Sequence, residues 1–319
     1  MMGSFILSSL KNIVTALVAS FTMLSIAVAN TPVAEIPYRY DYGGWITVPV
    51  LVNGQGPYDF IIDSGATLTV TFENLEAQQN FPPVAGNQRR ILGLLEVSNL
   101  PPKFIGDLII GGQPLPNLTS VVVPDWPTPR RTPHGVLGLD FLSQYVVEVD
   151  PTDNLVRLYK NGPPDIVKRR GWIRTRMNET NFAPYTKPLY TVNVKIGSER
   201  YPFILDLGAS GSIINIEMTR QLIKGVGIHL NEKGRQTRIP KVQDLFGNEE
   251  TSRLIRIPRM SLGKYRWRNQ VITVFDAKVF EELGVQERPY GLLGADLLRD
   301  TPLVLDFQNN RLYLQKPKK

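Results

Sequence analysis

Two aspartates carry the chemistry open to this chain. Asp63 stands in Tyr58-Asp59-Phe60-Ile61-Ile62-Asp63-Ser64-Gly65-Ala66-Thr67, and Asp206 stands in Tyr201-Pro202-Phe203-Ile204-Leu205-Asp206-Leu207-Gly208-Ala209-Ser210. In each segment an apolar run ends on the acid and the chain then turns on a glycine. Two carboxyl groups brought together can share one proton. One can then take a proton from water while the other gives its proton to an acceptor oxygen. The copies differ at the position after the acid, Ser64 against Leu207.

Other chemistries find little support. Cysteine is absent, which removes disulfides, thiol catalysis and cysteine-ligated metal. His134 and His229 are the two histidines, and neither has a nucleophile context suited to a Ser-His-Asp triad. His134, which follows Arg130-Arg131-Thr132-Pro133, is expected on an exposed loop. No ligand cluster calls for a metal and no motif calls for a cofactor. Carboxylates, backbone and shape are left to do the work.

The elements that must position the acids also come twice. Gly135-Val136-Leu137-Gly138-Leu139-Asp140-Phe141-Leu142 is matched by Gly291-Leu292-Leu293-Gly294-Ala295-Asp296-Leu297-Leu298. After each come an apolar strand, an aspartate (Asp150, Asp306), a polar turn and a last strand. The two aspartate turns lie 143 residues apart and the two glycine motifs 156, so the second copy carries 13 more residues between its motifs. Two blocks repeated in the same order indicate an internal duplication.

A mostly β fold of two lobes follows. The 319 residues include 42% hydrophobic and 20% charged side chains, enough to bury real cores, and the 25 prolines and 26 glycines suit short strands joined by many turns. Strands are expected over 46–52 and 58–62 around the turn Asn53-Gly54-Gln55-Gly56, and over 190–196 and 203–205 around Gly197-Ser198-Glu199. Asn215 reads as the cap of a helix to about Lys224, with Gly225 behind it. A second helix is expected over 277–283, capped by Asp276 and stopped by Gly284. Its first-lobe counterpart, 123–133, is too proline-rich to be helical. The expected division is a first lobe over 38–160, a linker over 161–187 rich in proline, arginine and asparagine, and a second lobe over 188–319. Asp140 and Asp296 are expected to serve as turn or helix-cap residues, and Asp150 and Asp306 as turn residues.

Residues 1–29 read as a leader. Lys11 precedes an uncharged, mostly apolar stretch that ends Ala27-Val28-Ala29, the pattern of a secretory signal cut before Asn30; the alternative is an uncleaved membrane anchor. The protein is therefore expected to be exported, to a periplasm or the medium, and to meet a membrane only through an uncleaved leader. The formal charge is +7. Basic residues gather over 168–176 and 235–268, expected to be solvated linker or surface rather than a nucleic-acid site.

Asp63-Ser64-Gly65-Ala66-Thr67 followed by Gly135-Val136-Leu137-Gly138 resembles the signature of retropepsin-like aspartic proteases, including bacterial secreted members. The resemblance covers both lobes. It implies two β-barrel lobes facing across a cleft, a dyad of Asp63 and Asp206, and an exported endopeptidase acting on a peptide or unfolded protein. In the same terms Ser64, Gly65, Ala66, Thr67, Gly208 and Ala209 support the active-site turns, with Gly65 and Gly208 letting the backbones approach. Leu137-Gly138 and Leu293-Gly294 brace the turns from behind, and glycine-containing hairpins close over the substrate. The best flap candidates are Ile91-Leu92-Gly93-Leu94 and Leu245-Phe246-Gly247-Asn248.

Two departures from the family pattern matter. The family's hydroxyl after the acid bonds to the opposite lobe's backbone; Ser64 can do this and Leu207 cannot. The pair is then either asymmetric but working, or silent on the second side. In the second case activity requires a homodimer of Asp63 turns, or the chain is a catalytically silent module that binds peptides or proteins. Ala66 and Ala209 also stand where pepsins usually carry a hydroxyl bonded to the carboxylate. Fewer bonds to the charged form imply a working pH closer to neutral.

Overall fold

The computed structural model describes residues 30–41, 43–127, 132–182, 187–226 and 240–317. The expected leader, His229 and the 235–239 end of the second basic run fall outside these residues.

Each lobe is built around a hairpin whose second strand delivers the aspartate. In the first lobe Ile46–Val52 pairs antiparallel with Gln55–Ile62. The turn between them uses Asn53 and Gly54, both with positive φ (51° and 76°), as the tight turn matched to strand twist requires. In the second lobe Leu189–Ile196 pairs with Glu199–Leu205 in the same way. The last residues of both delivering strands, Phe60-Ile61-Ile62 and Phe203-Ile204-Leu205, are buried in succession. An unbroken buried run is what a strand covered on both faces looks like, and it carries the following acid deep into the molecule.

A parallel strand lies beside each delivering strand: Gly135–Leu137 against residues 60–62, and Gly291–Leu293 against residues 203–205. Here glycine answers an aromatic ring. A Cβ on Gly135 would stand 2.2 Å from the Phe60 ring, and one on Gly291 would stand 2.4 Å from the Phe203 ring.

The lobes are joined by a six-stranded antiparallel sheet. Its order is Ala34–Pro37, Leu155–Tyr159, Val146–Asp150, Leu303–Asp306, Arg311–Gln315 and Trp172–Arg176. Val146 faces Asp306 and Val149 faces Leu303 at the central seam, so each lobe donates one hairpin and the hairpins meet edge to edge. One face of the sheet sends Val147, Val149, Leu303 and Leu305 into the main core. The other gathers Val146, Tyr159, Val304 and Tyr313. Asp150 and Asp306 cap the turns after their strands, accepting from Thr152 N at 2.9 Å and Asn309 N at 3.1 Å.

The outer strands show where the second copy starts. Ala34–Pro37 edges the first lobe's hairpin, and Trp172–Arg176 edges the second lobe's. The stretch 161–187, expected as a linker, thus holds the second copy's lead-in strand, followed by Asn178–Thr180 against Leu189–Thr191.

Three local expectations are corrected. The helix after Asn215 spans Ile216–Val226, passing through Gly225. Asn215 does cap it, its Oδ1 accepting from Met218 N at 2.9 Å. Asp276 serves that same helix, accepting from Ile216 N at 2.8 Å, while the next helix, Lys278–Glu282, starts behind Ala277 without a side-chain cap. His134 is buried, its Nδ1 accepting from Asp59 N at 3.2 Å with its ring against Tyr58. The first lobe also has a helix, Glu73–Gln79, whose polar composition gave no apolar period to read.

Candidate active site

Asp63 and Asp206 meet. Each leaves the end of its delivering strand, and each backbone N–H is tied to the parallel strand behind it: Asp63 N donates to Leu137 O and Asp206 N to Leu293 O, both at 3.0 Å. The two carboxyl groups hydrogen-bond to each other. The approach needs glycine on both sides. A Cβ on Gly65 would lie 2.5 Å from Asp206 Cγ, and one on Gly208 would lie 2.2 Å from Asp63 Cγ.

One hydroxyl locks the two turns. Ser64 Oγ donates to Leu205 O at 2.9 Å and accepts from Leu207 N at 3.0 Å. Ser64 is fully buried, so neither backbone group has water as a substitute. Leu207 gives no hydroxyl in return and lies instead in the main core.

Behind the turns is a second brace, repeated in both lobes, that sequence reasoning missed. Thr69 Oγ1 donates to Asp140 Oδ1 at 2.6 Å, Thr69 N donates to Asp140 Oδ2 at 2.9 Å, and Gly138 N donates to Thr69 Oγ1 at 3.0 Å. In the second lobe Ser212 Oγ donates to Asp296 Oδ1 at 2.6 Å and accepts from Gly294 N at 3.0 Å. Leu139 N and Ala295 N donate to Ala66 O and Ala209 O, both at 2.8 Å. Gly138 and Gly294 allow this closeness: a Cβ on either would sit 2.7 Å from backbone carbon of the braced turn. Asp140 and Asp296 therefore anchor hydroxyls that hold the aspartate turns. Thr67, expected to support the turn, lines the cleft; the supporting threonine is Thr69.

The electrostatics of the pair are unequal. Asp63 Oδ1 accepts from Gly65 N at 2.7 Å and Ala66 N at 3.0 Å, whereas Asp206 Oδ1 accepts from Ala209 N at 2.9 Å. Desolvation raises both carboxyls above the ordinary range. Asp206 is raised further, by the Asp63 charge and by donating its hydrogen bond to Asp63. The pair thus shares one proton, and the richer set of N–H donors favours the charge on Asp63.

Two hairpins roof the pair. The first-lobe hairpin Arg89–Leu92 with Val97–Leu100 and the second-lobe hairpin Lys241–Gln243 with Glu249–Thr251 contain the two expected flap segments at their tips. Each tip is held by the opposite lobe. Leu94 O accepts from Lys278 N at 2.8 Å, with Arg90 paired to Glu282; Leu245 O accepts from Trp126 Nε1 at 2.9 Å. Gly93 packs against the Phe246 ring. Tips and aspartate turns enclose a cavity of ≈ 440 Å³ with walls including Trp45, Ile61, Trp126, Leu189 and Leu292. Arg89, Arg90, Lys187 and Asp244 also line the cleft, so a ligand lying over the acid pair meets apolar walls with charged groups among them.

A model of the aspartyl protease family matches residues 48–141 and 192–297, more than half of the chain and both lobes. The chain belongs to the retropepsin-like aspartyl proteases. No curated protein matches it.

Two expectations follow for the pair's surroundings. Ser64→Ala strands Leu205 O and Leu207 N in the interior and should cost about 2–6 kcal/mol in urea unfolding, since each buried orphan costs about 1–3 kcal/mol; Ser64→Thr should recover most of it. The carboxyls themselves act in the other direction. Their folded values lie above the unfolded value of about 4, so the stabilisation they give is complete below that value and is lost as pH rises through the folded one. Asp206→Asn, neutral at every pH, should therefore melt higher than wild type at pH 7, with the gain vanishing towards pH 3. A variant that melts below wild type at pH 7 would contradict the shared-proton assignment.

Proposed function

We propose that this chain is an exported aspartic endopeptidase that uses Asp63 and Asp206 of one molecule as its catalytic pair. The observation that carries the reading is the close approach of two carboxyls, each lying where a Cβ on the opposite turn's glycine would stand, at the floor of a roofed cleft. The absent second hydroxyl does not weaken it, because Ser64 alone ties the opposite turn on both sides of Asp206.

The reaction is then hydrolysis of a peptide bond by water. Asp63, ionised, takes a proton from a water held between the carboxyls as its oxygen bonds to the carbonyl carbon. Asp206 gives its proton to the carbonyl oxygen, and a neutral gem-diol results. Asp63 next passes its proton to the amide nitrogen, the C–N bond breaks, and a diol hydroxyl returns a proton to Asp206. Acid and amine leave, and the pair regains its starting protonation with no covalent enzyme intermediate. The substrate is an extended peptide or unfolded protein, with apolar side chains beside the scissile bond to match the apolar walls. The hairpin tips must release their cross-lobe contacts to admit it.

Cleavage of an unfolded protein tests this. Asp63→Asn and Asp206→Asn should each lower kcat by at least about a thousandfold, the scale for loss of a principal catalytic group, and a statine-type analogue should inhibit wild type. The rate should peak above about pH 4, because among the described residues backbone N–H groups support the charged form without a hydroxyl beside them. If Asp63→Asn alone abolished cleavage, the pair would have to form between two chains. If wild type cleaved nothing from about pH 3 to 8, the peptide-binding module would replace the enzyme.

Export rests on the leader pattern of residues 1–29. Protein recovered from outside the cytoplasm should begin at Asn30 by N-terminal sequencing; a chain retaining Met1 there would mark an anchor.

A further inference from the structure

The second lobe carries on its outer face a feature that the protease reading leaves unused. The hairpin Arg253–Leu262 with Tyr265–Val274 holds Arg253, Arg256, Arg259, Lys264, Arg266 and Arg268 and no acid. Its counterpart in the first lobe, Lys103–Ile110 with Gln113–Ser120, holds one lysine and one aspartate. Both hairpins pair with the first strand of their lobe's delivering hairpin. The difference is therefore not required by the fold the two copies share.

Register concentrates these charges. Arg259 stands opposite Arg268, Arg266 opposite Ser261, and Ser261 opposite Lys195 of the neighbouring strand. Like charges directly across a ladder repel. None of Lys195, Arg259, Arg266 and Arg268 has an ion pair among the described residues, and all four are exposed. Glu199, the acid nearest along the chain to Lys195, accepts from Ser198 Oγ. The four cations line a concavity of ≈ 510 Å³ together with Ser261. An unneutralised cationic hollow, built where the sister lobe is charge-balanced, costs stability unless an anion fills it.

We propose that this hollow binds the phosphate groups of anionic lipid headgroups and seats the second lobe on a membrane surface. Arginine forks match phosphate oxygens in two-pronged hydrogen bonds. The hollow is open and lies on a sheet face, so a surface can reach it as a whole. On the export proposed above, residues 12–29, uncharged and mostly apolar, would bring the chain to a membrane whether or not they are later cut.

Vesicle co-sedimentation tests the proposal with the full chain, using phosphatidylcholine vesicles with and without phosphatidylglycerol. Wild type should bind the anionic vesicles, and salt should weaken that binding. R259Q/R266Q/R268Q should bind them on the order of a hundredfold more weakly, with unchanged circular dichroism and no loss of melting temperature. R259K/R266K/R268K should keep most of the binding. Residues 1–29 are common to all three proteins, so the difference reads the hollow. Equal sedimentation of the Gln variant and wild type would overturn the proposal. So would capture of inorganic pyrophosphate without adhesion to vesicles, which assigns a soluble ligand, or displacement from vesicles by duplex DNA at lower concentration than by pyrophosphate.

Discussion

Two carboxyl groups in contact repel each other as soon as both are charged, and taking them out of water makes the repulsion worse. The architecture around Asp63 and Asp206 holds them together regardless. The glycine of each turn leaves room for the opposite carboxyl, the parallel strands hold both backbone N–H groups, and the Thr69 and Ser212 hydroxyls fasten the turns to Asp140 and Asp296. Behind these, the six-stranded sheet fixes the separation of the lobes through backbone hydrogen bonds at its seam. The proton shared at the centre is the residual outlet for the repulsion that this frame maintains.

The frame is nearly two-fold, but its centre is not. Ser64 supplies the cross-link for both sides, and Leu207 contributes core packing in place of a reciprocal bond. The N–H donors are likewise uneven, favouring charge on Asp63. A strictly symmetric pair would leave the proton undecided between two equal sites. Here the uneven N–H donors bias the charge towards Asp63, as the proposed hydrolysis requires.

The parts of the site legible in the sequence were those made by short segments. An apolar run into an acid and then a glycine describes Asp63 and Asp206 completely, because strand, turn and close approach all lie within a few residues. Gly138 and Gly294 were legible for the same reason, whereas the hairpins that roof the cleft were only weakly marked, because a glycine at a hairpin tip looks the same over a cleft as over solvent. The second brace was hidden because its partners lie far apart in the chain: Thr69 bonds Asp140 across 71 residues, and Ser212 bonds Asp296 across 84. Asp276 misled by position, since it precedes one helix but caps another 60 residues earlier. His134 follows a basic, proline-containing stretch and looks exposed, yet pairing with Asp59 buries it. The stretch 161–187 has a linker's composition, and only its pairing with 311–315 makes it part of the second copy.

Comparing the copies separates what geometry enforces from what it leaves free. Gly135 with Phe60 and Gly291 with Phe203 agree because a side chain on either glycine would overlap a ring. Gly65 and Gly208 agree because a side chain there would overlap a carboxyl. Position 64 against 207 departs from this, and it can do so because one hydroxyl with a donor and two lone pairs serves a carbonyl and an N–H at once. Outer faces carry no such constraint, since a solvated side chain displaces only water. The charges on the hairpin 253–274 therefore cannot be read as a by-product of building the lobe. A row of arginines that the packing does not need, and that no acid among the described residues neutralises, is what the proposed anionic surface would answer.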